Sequence, residues 1–305
     1  MSKKTKSFLD KTIREIPLYI MLLPAIIFVS IYSYGSMVGI VVAFQKFVPT
    51  KGLFGSEWIG FANFKNLFTM PSIWEVIRNT IVISLGKMVG GIIVPVVFAL
   101  LLNEIKNLGI KRAVQTIVYI PNFLSWVILA GLFVDILSPS TGIVNQVIEK
   151  LGMQPVYFLG DKTVYPITMV ITEIWKGFGF GSVIYLAALT GIDPSLYESA
   201  QIDGAGRWKQ TLHITMPGIM TTIVLMTVLS MANILNGGFD QIYNTYSPAV
   251  YQTGDILDTF VYRLGIQNAQ FAMSTAAGLF KSVVSFVFII VSYYLADRVA
   301  GYKIY

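Results

Sequence analysis

Residues 18–44, "LYIMLLPAIIFVSIYSYGSMVGIVVAF", contain no Asp, Glu, Lys, Arg or His over 27 positions. Few folds accept such a stretch. Roughly 20 apolar residues in a helix cross a bilayer and satisfy their own backbone amides while doing so. The basic residues before it resemble the start of a signal peptide. The apolar run is too long for a signal core, however, and no small-x-small cleavage site closes it early, so it reads as a retained anchor. Five more stretches meet the length requirement, at about 80–102, 114–134, 166–191, 217–236 and 275–296. The expected fold class is all-α: a polytopic membrane protein with six transmembrane helices. Composition agrees, because charged residues make up 12% of the chain where a soluble domain carries about 25%.

Charge sets the expected orientation. With the N-terminus cytoplasmic, the inside segments 1–16, 103–113, 192–216 and 297–305 hold 12 Lys and Arg in 61 residues. The outside segments 45–79, 135–165 and 237–274 hold 7 in 104. Cytoplasmic loops carry the excess, so both termini are expected inside. The domain reading is a cytoplasmic segment 1–16, a six-helix domain 17–296 and a cytoplasmic tail 297–305. The net charge of +6 is spread over loops rather than gathered in an aromatic-interleaved patch, which points away from nucleic acid. Zero cysteines exclude disulfides, thiolate metal sites and a cysteine nucleophile.

Prolines 24, 95 and 121 and glycines 86, 90, 91, 177, 179 and 181 fall inside the apolar stretches. Proline kinks a helix, and glycine lets helices approach closely. Packing is the expected role for the glycines. Lys87, Glu173, Lys176 and Lys281 interrupt the spans. Charges at membrane depth usually pair, and Glu173 and Lys176 are three apart, the spacing of a same-face helix pair.

One stretch is unlike its neighbours. "DPSLYESAQIDGAGRWKQTLHITMP", residues 193–217, is polar and lies between two apolar runs. Asp193 is an N-cap candidate before Pro194. Gly204 and Gly206 break the helix that follows. "RWKQTLHIT" resumes it, with Trp208 and Leu212 on a face expected to pack on the chain's own bundle, and Pro217 marks the entry to the fifth span. His213, the chain's one histidine, reads as a helix-surface residue.

The same stretch resembles the E-A-A-x-x-x-G-x9-I-x-L-P signature of the membrane subunits of ATP-binding-cassette importers. Glu198, Ala200, Gly204, Ile214 and Pro217 fall on the pattern; Ser199 and Met216 depart from it. "AQIDGAGRW", "EIWKGFGFGSVIYLAALTGIDPSLYE" and "FVPTKGLFGSEWIGFANFKNLF" resemble the carbohydrate-uptake branch. The resemblance implies a permease in the inner membrane of a bacterial or archaeal cell. Its coupling segment would dock a separate ATPase through Glu198, Ala200, Asp203, Gly204 and Ala205. It also implies partners: a second, similar permease, two ATPase subunits and an extracytoplasmic sugar-binding protein. ATP and Mg2+ would sit in the ATPase, with no cofactor here. Consistent with this, no G-x-x-x-x-G-K-[ST] phosphate cradle occurs in the chain.

A sugar needs hydroxyl-matching groups and flat apolar faces. Trp126, Trp175 and Asn233 are the candidates for lining its path; no metal ligands or catalytic residues are expected. "NGGFDQIYNTYSPAVYQTGD" resembles the last external loop of sugar permeases, which implies contact with the binding protein; the residues alone suit equally a solvated loop packed on its own bundle. The competing class is a secondary transporter driven by an ion gradient. Such transporters often show two related halves; none is evident here.

Overall fold

A computed structural model describes residues 3–300, with side chains described for 15–294 and 298. Residues 1–2 and 301–305, parts of the expected N-terminal segment and C-terminal tail, lie outside the described residues.

The first rod is α1 (Lys3–Val29), continued by a π-type turn, Ser30–Tyr34, and a 3₁₀ helix, Gly35–Phe44. Of its described side chains, Val42 and Ala43 are buried. The rod leads into β1 (Gln45–Lys46), α2 (Gly52–Gly55), β2 (Glu57–Trp58) and α3 (Ala62–Thr69). The two short strands pair antiparallel, a small addition to an all-α fold. Asn63 fixes this corner, its Nδ2 donating to the carbonyls of Ala43 at 2.8 Å and Gln45 at 2.9 Å.

Then come α4 (Pro71–Asn103), α5 (Leu108–Phe123), α6 (Trp126–Ile136), α7 (Ile143–Lys150), α8 (Val164–Thr190) and α9 (Pro194–Ile202). They are followed by α10 (Arg207–Gln210), a second π-type turn (Thr211–Thr215) and α11 (Met216–Met231). The chain ends through α12 (Phe239–Thr245), α13 (Tyr251–Gly254), α14 (Leu257–Tyr262) and α15 (Phe271–Ala300).

Among the described residues, five unbroken helices are long and apolar enough to cross a membrane: Glu15–Phe44, Pro71–Asn103, Val164–Thr190, Arg207–Met231 and Phe271–Tyr294. The expected third span, 114–134, is instead α5 and α6, bent by 104°. Pro121 takes one amide donor out of the last turn of α5. Ser125 then restarts a helix as N-cap, accepting from the Ile128 amide at 3.3 Å. Two boundaries also move. α4 starts at Pro71 rather than near 80, because Ile73 and Val76 extend the buried stripe beyond the apolar run. The fifth span starts at Arg207, and Pro217 lies within its continuous rod. The π-type turn before Pro217, closed by the Met216 amide on the Thr211 carbonyl, takes up the irregularity.

α4 and α8 form the most extensive helix pair, and glycines explain how closely they approach. A Cβ on Gly86 would fall 2.8 Å from Val170, and one on Gly90 would fall 2.0 Å from Ile174. On Gly179 it would meet the Val118 carbonyl oxygen of α5 at 2.2 Å. Packing, as expected, is the role of these three glycines; Gly91 and Gly177 face open space. Backbone cannot rotate away as a side chain can. Gly179→Leu should therefore force α5 off α8 and lower stability by about 1–3 kcal/mol or more, read as a lower unfolding temperature in detergent. An unchanged midpoint would show that this approach does not hold the pair together.

Three buried clusters run along the bundle. Leu67, Ile73, Val76 and Leu257 anchor the first. Ile83, Tyr165, Met169 and Ile242 form the second, and Val96, Ala99, Tyr185 and Ile219 form the third, toward the α9 end.

Candidate functional site

A cavity of about 650 Å3 opens within the bundle, lined by Ser84 and Lys87 of α4, Trp126 of α6, Glu173 of α8, Ser230 of α11 and Asn233 just beyond it. It exists because α11 stops at Met231 and the chain turns back through Gly238 into α12. Gly238 has φ +87°, and a Cβ there would lie 2.6 Å from Lys87 Nζ. Only glycine meets both demands.

Lys87 ties this wall together. Its Nζ lies 3.6 Å from Glu173 Oε2 and donates to the Gly237 carbonyl at 2.7 Å and to Gln241 Oε1. Gln241 is fully buried, and its Nε2 donates to the Met169 carbonyl at 2.9 Å and to Thr172 Oγ1 at 2.8 Å. The expected Glu173–Lys176 pair is therefore replaced by a Lys87–Glu173 pair across two helices. Lys176 Nζ instead donates to the Asn122 carbonyl at 3.1 Å and lies 5.8 Å from the centre of the Trp126 ring. Lys281 pairs with Asp258 of α14.

Of the three expected lining residues, Trp126 and Asn233 face the cavity. Trp175 does not; it packs edge-on against Phe133 at 5.6 Å between centroids and is 41% exposed. Two residues along a helix from Glu173 is a turn of about 200°, which carries it off the cavity face. Ser84 and Ser230 were not singled out from the sequence, since serine in an apolar stretch more often bonds its own backbone. Ser230 does so, donating to the Met226 carbonyl at 2.7 Å. Ser84 Oγ is buried without a hydrogen-bond partner and borders the cavity, leaving a hydroxyl free for a polar ligand.

The stretch 236–255 packs mainly on its own bundle. Gln241, Ile242, Thr245, Val250 and Asp255 are buried, while Pro248 and Ala249 are exposed at its tip. Burial pushes the Asp255 carboxyl above the usual carboxylate range, against the pull of Arg263 and of Thr259, whose hydroxyl donates to it at 2.8 Å.

The polar segment projects from the other end. Asp193 caps α9 through the Ser195 amide at 2.9 Å, and this bond holds its carboxyl below the ordinary range. The helix closes with paired bonds, Ala205 N–H to the Ala200 carbonyl at 2.8 Å and Gly204 N–H to the Gln201 carbonyl at 3.0 Å. These are the bonds of a Schellman end, with Gly204 left-handed at φ +75°. Tyr197 and Thr215 hydroxyls, 3.0 Å apart, tie α9 to the start of the fifth span. Glu198, Asp203 and Gly204 are exposed, and Ala200 and Ala205 are half-buried. Trp208 and Leu212 do not pack inward as expected, being 72% and 46% exposed. They border an apolar groove of about 740 Å3 against Ile93, Val97 and Leu101 of α4, with the Arg207–Glu104 pair at its rim. That groove offers almost no hydroxyl-matching groups, so the Lys87–Asn233 cavity is the better ligand site.

Residues 91–301 match the family model described as "binding-protein-dependent transport system inner membrane component". The chain belongs to this permease family. Polygalacturonan/rhamnogalacturonan transport system permease protein YteP of Bacillus subtilis is 38% identical to the permease over 99% of this chain and 94% of its own length. Protein LplB of the same organism is 37% identical over 92% of this chain and 88% of its own. A chain in the crystal structure of a bacterial transporter importing the acidic polysaccharide alginate superposes with TM-score 0.88 and 40% identity, over 96% of this permease and 99% of that chain. A second structure, 39% identical over 97% of this chain and 99% of that one, has TM-score 0.88 and contains an alginate transporter in complex with a pentasaccharide-bound periplasmic protein. The permease is thus a multi-pass membrane protein with the ATP-binding-cassette importer fold.

Proposed function

We propose that this permease is the transmembrane subunit of an ATP-driven importer for a carbohydrate, an oligosaccharide, delivered by an extracytoplasmic binding protein. One observation carries the reading. A single helical rod, Arg207–Met231, joins the exposed α9 turn to the cavity wall. At 1.5 Å per residue it is about 37 Å long. Whatever grips α9 at one end moves Ser230 and the neighbouring Asn233 at the other.

In this reading α9 lies in the cytosol, where the Lys and Arg excess puts it. A separate ATPase receives it through Glu198, Ala200, Asp203, Gly204 and Ala205. ATP and Mg2+ belong to that partner, and this chain holds no nucleotide. A second, similar permease closes the other half of the pathway. The exposed tip at Pro248 and Ala249 is the point of contact for the binding protein. Relatives named for transport of polygalacturonan/rhamnogalacturonan, galactooligosaccharides and arabinooligosaccharides support a saccharide cargo.

Purifying the complex with its co-purifying subunits, then measuring sugar-dependent stimulation of ATP hydrolysis, tests the reading. Stimulation should require an oligosaccharide and a binding protein. Uptake by the permease with no ATPase present would overturn it in favour of gradient-driven transport.

A further inference from the structure

This inference rests on the carbohydrate reading and narrows it. We infer that Lys176 and the face of Trp126 form a subsite for an acidic sugar, a uronate unit whose ring lies on the indole and whose carboxylate meets the ammonium.

Three lysines interrupt the spans, and two are neutralised inside the chain: Lys87 by Glu173 and Lys281 by Asp258. Among the described residues no carboxylate lies within salt-bridge distance of Lys176. It is fixed by a single hydrogen bond, to the Asn122 carbonyl in the last turn of α5 at 3.1 Å. An ammonium has three hydrogens to donate, so two remain. The carbonyl end of a helix favours a cation, which explains why the charge is held there but supplies no counter-ion. A cation at membrane depth without an acid partner is costly and marks a substrate path.

The surroundings select the anion. Trp126 belongs to the cavity lining, and Lys176 lies 5.8 Å from its ring centre. A flat aromatic face accepts the C–H face of a pyranose. A uronate carries its carboxylate on that same ring, so one unit engages both groups. Lys87 cannot serve, because Glu173, Gly237 and Gln241 already take its ammonium. The carboxylates of the lining, Glu173 and Asp240, would repel an acidic chain. Lys87 offsets the first, and Asp240 lies exposed in the first turn of α12. Lys176 does not line the cavity itself but lies behind Trp126, which does, and it is the lysine there with no carboxylate partner among the described residues.

The test uses the complete complex in vesicles, with partner permease, ATPases and binding protein. Uptake of an oligogalacturonate is compared with uptake of its carboxyl-reduced, neutral counterpart, for the wild type, Lys176→Met, Lys176→Glu and Lys176→Arg. The expected result is a loss of at least about tenfold in oligogalacturonate uptake for Met and Glu, the scale of one charge-assisted hydrogen bond. Neutral uptake should change by less than about twofold, and Arg should restore most of the acidic uptake. Equal loss on both sugars, unchanged acidic uptake, or failure of Lys176→Glu to assemble with the partner permease would each overturn the subsite. Wild-type uptake of the neutral sugar alone would overturn it while leaving the carbohydrate reading standing. Wild-type uptake of neither sugar would also overturn the subsite, while the carbohydrate reading falls only if no oligosaccharide stimulates ATP hydrolysis by the complex.

Discussion

Valine in place of Gly204 should leave the permease inserted in the membrane and cut ATP-coupled uptake by at least about tenfold. Gly204 has φ +75° and closes α9 with the bonds to Ala200 and Gln201. An L-residue pays about 1–2 kcal/mol to enter that conformation, and a β-branched one is a stronger outlier. Since 1.4 kcal/mol is tenfold in an equilibrium, the native turn loses about five- to thirtyfold against its alternatives. A Cβ at this position would touch nothing within 4 Å in its own subunit. Within its own subunit the substitution therefore acts through the backbone conformation and not through a clash. Gly204→Asn separates two causes, because asparagine tolerates the left-handed region. It should keep most of the coupling if backbone conformation alone matters. A loss with Asn as deep as with Val would mean that the partner's surface lies against the glycine. Undiminished uptake with Val would remove the docking role of α9.

Lys87→Met is the second large effect. It strips the counter-charge from Glu173 and leaves Gln241 Oε1 and the Gly237 carbonyl without their donor. Breaking a buried pair on one side costs about 3–5 kcal/mol. Glu173 is 36% exposed toward the cavity while Lys87 is 10% exposed, so screening puts the loss near the lower end, about 3 kcal/mol. The permease should accumulate poorly and melt earlier in detergent. Adding Glu173→Gln removes the orphaned charge and should recover part of the midpoint. A single Lys87→Met variant as stable as the native protein would mean that the Lys87 cluster does not hold the turn at Gly238.

Much of the fold was legible because membrane spans obey local rules. Run length alone located all five unbroken spans, three of them within four residues at each end; the second and fifth begin nine and ten residues earlier than their apolar runs. The α9 segment was legible for the same reason: Asp193 caps the very next turn, and Gly204 ends it, each through bonds within a few residues. What the sequence hid depends on distant partners. Lys87 finds the Gly237 carbonyl 150 residues away, and no spacing rule could prefer Glu173 as its mate over Lys176 as Glu173's. The bend between α5 and α6 and the unwinding after Met231 were also hidden. Apolar composition continues through both, and only the neighbouring helices make the breaks tolerable. Trp208 misled in the opposite direction. A tryptophan at helical spacing suggests a core, yet the groove it borders is left open by its own chain.

The π-type turn at Thr211–Thr215 has a geometric consequence for the permease. Such a turn amounts to one surplus residue spliced into an α-helix, and each residue advances the helix by about 100°. That surplus sets the azimuth at which α9 leaves the rod relative to Asn233. A chain one residue shorter there would swing α9 by more than a quarter-circle, like a crank keyed wrongly onto its shaft, and would part Tyr197 from Thr215 and Arg207 from Glu104.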